Sequence, residues 1–167
     1  MSWIIEASKY EIYCDGACRN NQADNNVGSW AFIVYHGGVK KGSKSKATFN
    51  TTNNVQELTS VLEALRWGNK LGEPIVIYCD SEYVINSITK WMHGWAAKGW
   101  KKADGKPVAN LEIMQQLFTE YNPNKHTFEK VKGHSGDVRN EEVDNLCNVV
   151  IDEFLINSEI CPLNFNN

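Results

Sequence analysis

The sequence predicts an α/β fold, a mixed sheet with helices packed on its faces, and three observations carry that prediction. Two early runs, KYEIYCD at 9–15 and SWAFIVYH at 29–36, are rich in aromatic and β-branched residues and stand at hairpin spacing. From about residue 54 the apolar period changes to that of a helix. The tetrapeptide IYCD occurs twice, at 12–15 and 77–80, each time as an apolar run that stops on an aspartate.

In chain order, a polar, turn-rich stretch, RNNQADNNVG, separates the first two strands. A third strand covers 43–50 after the His36-Gly37-Gly38 turn, which suggests an antiparallel edge. In NVQELTSVLEALRWGNKLG, Val55, Leu58, Leu62 and Leu65 fall on one helical face, and Gly72 closes the helix. Pro74 opens the strand IVIYCD, which runs into a second helical pattern, SEYVINSITKW. Residues 91–109 mix Trp, Lys and Gly and read as irregular. A helix at 110–121, a strand at 126–132, the loop KGHSGD and a helix at 140–155 follow, the last with Val143, Cys147, Val150 and Phe154 on one side. The order β-β-β-α-β-α-α-β-α implies a mixed sheet. No internal repeat or low-complexity linker divides the chain, so residues 1–167 read as one domain, with a core at about 9–155 and a loose tail at about 156–167.

Composition narrows the class. The 42% hydrophobic and 22% charged contents are those of a globular chain. No apolar run reaches the roughly 18–20 residues needed to span a bilayer, and MSWIIEASKYEI lacks the basic start of a signal peptide, so a cytoplasmic chain without membrane contact is expected. Five cysteines, at 14, 18, 79, 147 and 161, are an odd count and read as reduced, mostly buried thiols. Cys14 and Cys18 have no second pair to complete a zinc site. The net charge of −3 speaks against nucleic acid, but lysines cluster at 40, 41, 44 and 46 and again at 90, 98, 101, 102 and 106. Phosphate binding follows local potential, so the clusters outweigh the sum.

The two IYCD aspartates, Asp15 and Asp80, raise a specific possibility. Ligands gather outside the carboxyl ends of parallel strands, and if these strands are parallel neighbours the carboxylates lie side by side. Taken singly, each fits a turn or helix N-cap. Glu57 likewise fits a capping box begun by Asn54, and Asp144 the solvated first turn of the last helix. His134, between Gly133 and Gly136 in Lys132-Gly133-His134-Ser135-Gly136, is either a surface histidine or an imidazole carried over a site by a mobile loop. Two carboxylates about 4 Å apart at an effective dielectric near 20 repel by roughly 4 kcal/mol. Several converging must hold protons or bind cations. All-oxygen donors favour Mg²⁺ or Mn²⁺ over zinc, and two divalent ions balance four carboxylates in a way that suits phosphodiester displacement.

Taken together and in order, Asp15-Gly16-Ala17-Cys18, Thr52-Asn53-Asn54-Val55-Gln56-Glu57-Leu58, Tyr78-Cys79-Asp80-Ser81 and Lys132-Gly133-His134-Ser135-Gly136, followed by Asn140-Glu141 and Asp144, closely resemble the motif set of type 1 ribonuclease H. The likeness runs from about residue 9 to 155. The resemblance implies a ribonuclease H-like five-stranded sheet, three strands antiparallel and two parallel, with helices on both faces. It implies an enzyme that cuts the RNA strand of an RNA–DNA hybrid, leaves 5′-phosphate and 3′-hydroxyl ends and uses two Mg²⁺ ions (Mn²⁺ as a substitute); nothing in the sequence requires more than a monomer, and a monomer is expected. The family's metal-binding carboxylates fall on Asp15, Glu57, Asp80 and Asp144, and its mobile histidine on His134.

Substrate contacts carry over in the same way. Cys18, Asn20 and Asn21 occupy the turn that resembles the family's ribose 2′-hydroxyl contacts. Asn53 and Asn54 match residues facing the minor groove, and Thr52 and Asn110 match a pocket for a DNA phosphate. Residues 91–102 resemble the basic handle, where Trp91, Trp95 and Lys98 would meet substrate, although tryptophans there equally staple helices together; Trp100 is assigned to core packing. Asn50 stands where many relatives have arginine, and Ala96-Ala97 replace residues that are often basic. The stretch before residue 9 is too short for the hybrid-binding module of many eukaryotic relatives. Two rivals remain at this point: a DNA-acting relative such as a transposase or junction resolvase, and a catalytically silent hybrid-binding module.

Overall fold

The protein is described here as a computed structural model covering residues 9–20, 25–132 and 137–165, with side chains through residue 158. Five strands, β1 (Tyr10–Arg19), β2 (Val27–His36), β3 (Val39–Phe49), β4 (Ile75–Cys79) and β5 (His126–Lys130), form one sheet in the order β3-β2-β1-β4-β5. β1, β2 and β3 pair antiparallel, while β4 pairs parallel with both β1 and β5. This is the expected mixed sheet of three antiparallel and two parallel strands.

Alternation along β1 divides the interior into two layers. Ile12 and Cys14 face a core completed by Phe32, Val34, Leu58, Leu65 and Ile77. Tyr13 faces the opposite side, where Ile33, Tyr35, Val143 and Cys147 pack. The first layer is covered by α1 (Asn53–Leu71), whose Leu58, Leu62 and Leu65 are buried as their spacing requires and whose C-cap Gly72 takes the left-handed φ of 79°. The second layer is covered by α5 (Val138–Phe165), so helices lie on both faces.

Several boundaries differ from the sequence reading. β1 continues four residues past Asp15, because β2 supplies an antiparallel partner as far as Arg19 opposite Val27. Asp15 therefore lies inside a strand, opposite Ala31, and does not end one. The N-cap of α1 is Thr52, whose hydroxyl accepts from the Val55 N–H at 3.1 Å; the box begun by Asn54 is not formed. After β4, α2 (Glu82–Asn86) passes through a π-helical turn at Ser87–Trp91 into α3 (Met92–Ala97). Val84, Ile88 and Met92 form one buried stripe, which carries the helix past 91 into a stretch whose composition reads as irregular. α4 (Leu111–Glu120) follows. α5 begins two residues earlier than expected and runs through Phe165, with no Gly or Pro before Pro162, so the chain from 156 is helical where a loose tail was expected. Among the described residues, no helix is long and apolar enough to cross a membrane.

Candidate active site

The two IYCD copies run side by side in register, Ile12 opposite Ile77 and Tyr13 opposite Tyr78. Parallel pairing ends there. Two residues farther on, Asp15 stays in β1 while Asp80 leaves β4 for α2. The N-cap of α2 is Ser81, which accepts from the Val84 N–H at 3.2 Å, so Asp80 is not the cap.

Glu57 arrives from the first turn and a half of α1. That helix can approach β1 so closely because residue 16 is glycine: a Cβ there would lie 2.3 Å from the Glu57 nitrogen and 2.4 Å from the Gln56 carbonyl carbon. The outcome is a cluster in which oxygens of Asp15, Glu57 and Asp80 all lie within 4.8 Å of one another. Asp144 lines the same cleft, of about 240 Å³, although it stands outside that three-oxygen group. The structure thus draws together all four predicted carboxylates, three of them tightly.

Electrostatics follow from the crowding. Asp15 is 7% exposed, and its carboxyl is pushed up to about 8, first by burial, then by the charge of Asp80 and the hydrogen bond with Asp144. The Gly16 N–H donates to its Oδ1 at 2.9 Å and opposes the rise. Burial also raises Glu57, and Asp80 adds to it, while hydrogen bonds from Ser81 and from the Asn53 amide (3.1 Å) oppose it. Behind the cluster the Cys147 thiol donates to the Asp15 carbonyl at 3.5 Å, and buried Cys14 and Cys79 are raised by the same desolvation. The cysteines at 14, 18, 79 and 147 are free thiols, as expected.

The residues fit a hard divalent cation. Their donors are all oxygen, one is buried, and together they hold more negative charge than the enclosed space tolerates without protons or cations.

The predicted substrate residues scatter around this centre. Cys18 and Asn53 line the cleft; the Cys18 thiol points at the carbonyls of Thr51 (3.8 Å) and Arg19 (3.9 Å). Asn20 is exposed in the left-handed region, φ 57°, just beyond β1, and Asn54 is exposed on α1. Asn110 has φ 57° and donates to the Tyr83 hydroxyl at 3.1 Å; it lines a separate groove of about 490 Å³ between α1 and α4 that Thr52 does not line. Trp91 is 43% exposed with its ring 6.2 Å from that of half-buried Trp95, and Lys98 is exposed. Trp100 packs edge-on to Phe118 against the core. His134 and Asn21 lie outside the described residues.

Sequence reasoning assigned no role to Asn140 and Glu141, which line the cleft, or to Ser81, which reaches Glu57. Asn140 was findable: it stands one helical turn before Asp144 on the same face.

The sequence pattern of the RNase H family matches residues 7–151. Ribonuclease H of Clostridium botulinum is 43% identical over 149 residues, covering 87% of this chain and 97% of that protein. Ribonuclease H of Verminephrobacter eiseniae is 41% identical over 152 residues, covering 89% of this chain and 94% of that one. Among solved structures, LC9-RNase H1, described as a type 1 RNase H with the type 2 active-site motif, superimposes with a TM-score of 0.76 at 29% identity, over 88% of this chain and 74% of that one. A foamy viral protease-reverse transcriptase, solved with an RNA/DNA hybrid, has a TM-score of 0.76 at 15% identity, over 87% of this chain and 20% of that one, a likeness of fold alone.

Proposed function

The chain belongs to the ribonuclease H family and is a ribonuclease H enzyme; from that premise we propose that it hydrolyses the RNA strand of RNA–DNA hybrids with two divalent cations held by Asp15, Glu57, Asp80 and Asp144. The observation that carries the reading is the convergence of three carboxylates within 4.8 Å, one of them buried, with Asp144 lining the same cleft. Mg²⁺, with Mn²⁺ as a substitute, suits the all-oxygen donor set. Bound there, such cations supply Lewis acidity to the attacking and leaving oxygens of the phosphodiester, which yields 5′-phosphate and 3′-hydroxyl ends.

The chain's own residues set up that chemistry. Gly16 lets α1 bring Glu57 to Asp15. Asn53 and Ser81 hold the Glu57 carboxylate by hydrogen bonds and favour its ionised form. Cys18, at the cleft rim with Asn20 and Asn21 following it, is placed in the sequence to read the ribose 2′-hydroxyl, and Asn54 to face the minor groove. Trp91, Trp95 and Lys98 present an aromatic and basic surface to the DNA strand. Thr52 and Asn110 are assigned to a DNA phosphate, and His134 to proton movement or product departure. One chain supplies all four carboxylates, which supports action as a monomer.

The test is cleavage of end-labelled RNA–DNA hybrid, RNA duplex and DNA duplex, each with Mg²⁺ and with chelator. The expected result is Mg²⁺-dependent cutting of RNA in the hybrid alone, with 3′-hydroxyl products that a polymerase extends. Binding of hybrid without any cutting would overturn the reading.

A further inference from the structure

We propose that Asn140 is a positioning residue of the acidic site, its side-chain oxygen accepting a hydrogen bond from a water carried by a cation in the cleft. The inference rests on the cation reading just given. Asn140 lies in the first turn of α5, one turn before Asp144, and lines the cleft with Asp15 and Asp144. It is 5% exposed. Its backbone N–H donates to Asp137 Oδ1 at 3.0 Å, but its side-chain Oδ1 is buried with no hydrogen-bond partner among the described residues. A buried acceptor left without a donor costs stability, so its persistence calls for a donor that arrives with a ligand.

Among the described residues, the neighbours supply no such bond. The carboxylates that share the cleft with it, Glu57, Asp80, Glu141 and Asp144, offer acceptor oxygens. The Asn53 amide is engaged by Glu57, and the Cys18 thiol points at backbone carbonyls. A hard cation that keeps several of its waters brings strongly polarised O–H donors into the cleft. An acceptor for such a water orients the hydrated ion in the manner of outer partners at other metal sites, whose loss typically weakens binding about 10–100-fold.

The experiment is calorimetric titration of the full chain with Mn²⁺ alone, without nucleic acid, for the wild type and for Asn140→Leu, Asn140→Ala and Asn140→Asp. Each variant's melting temperature is taken in chelator. Loss of the oxygen in the Leu and Ala variants is expected to weaken Mn²⁺ binding about 10-fold. Asn140→Asp, which keeps an oxygen there, is expected to restore it. The metal-free melting temperature of Asn140→Leu is expected to be unchanged or higher, because an orphaned acceptor has been removed. Wild-type Mn²⁺ affinity in both the Leu and Ala variants overturns the inference; a raised KM for hybrid in that case would give the oxygen to a ribose hydroxyl, and a lowered melting temperature would make its role structural. A wild-type protein that binds no Mn²⁺ would overturn the cation reading itself, before any variant is compared.

Discussion

Asp15 and Asp80 each stand two residues beyond the last parallel pair of β1 and β4, Tyr13 opposite Tyr78. That register places two carboxylates side by side at the point where β1 continues along β2 and β4 has ended. Glu57 and Asp144 approach this point from the helices on opposite faces of the sheet.

Asp80→Asn should abolish cleavage and leave the fold intact, since Asp80 is half-buried at a strand end and belongs to neither core cluster. Losing a cation ligand removes several kcal/mol of charge stabilisation, which at about 1.4 kcal/mol per tenfold is a loss of ~100-fold or more. Single-turnover cleavage of labelled hybrid measures it, with circular dichroism reporting the fold. Near-normal turnover would contradict the site. In chelator the variant should melt higher than the wild type, because a like charge beside Asp15 has gone.

The pH dependence of the metal-free protein follows from Asp15. Its folded carboxyl is raised to about 8 from an ordinary value of 3.8. The folded state therefore binds more protons than the unfolded state between those values, and stability in chelator falls as pH rises from about 4 to about 8. Asp15→Asn should flatten that slope in melting curves taken across the range. Cation binding displaces the same proton, so Mn²⁺ affinity should rise with pH and level off above about 8. A slope unchanged by Asp15→Asn would show that another group sets it.

Gly16→Ala should destabilise by about 1–3 kcal/mol or more, because the added methyl meets backbone of α1 that has no rotamer with which to retreat. Chemical denaturation measures the loss. Gly42→Ala, where nothing lies within 4 Å, is the control and should leave stability nearly unchanged.

Lys98→Ala should weaken hybrid binding and lower the log–log salt slope by about one unit, if this exposed lysine meets a phosphate. Binding measured between low and moderate salt tests it. An unchanged slope would take Lys98 out of the interface.

Much of this was legible in the sequence, and the errors share a cause. The four carboxylates that converge in the cleft were legible as candidates because their residue types and order carry chemistry, and the sheet because its strands are apolar and β-branched. The end of β1 was misplaced because the polar residues after Asp15 are held in the strand by a distant partner, β2, which local pattern does not reveal. The caps shifted by one or two residues, from Asn54 to Thr52 and from Asp80 to Ser81, because neighbouring residues offer equivalent acceptors and only backbone geometry chooses among them. The helix at Met92–Ala97 was obscured by the Trp, Gly and Lys content of 91–109, while the buried stripe of Val84, Ile88 and Met92 decided the outcome. Asn140 belongs to the recognised motif set but carries no role there, because an asparagine in a first helical turn is ordinary until its burial is known.

The central claim is that Asp15, Glu57, Asp80 and Asp144 hold the cations that cut RNA. Its most direct test is anomalous diffraction from crystals of the protein soaked in Mn²⁺. The account predicts anomalous density in the cleft bounded by these four side chains, absent from crystals of Asp80→Asn. Manganese bound elsewhere, with an empty cleft in the wild type, would contradict it.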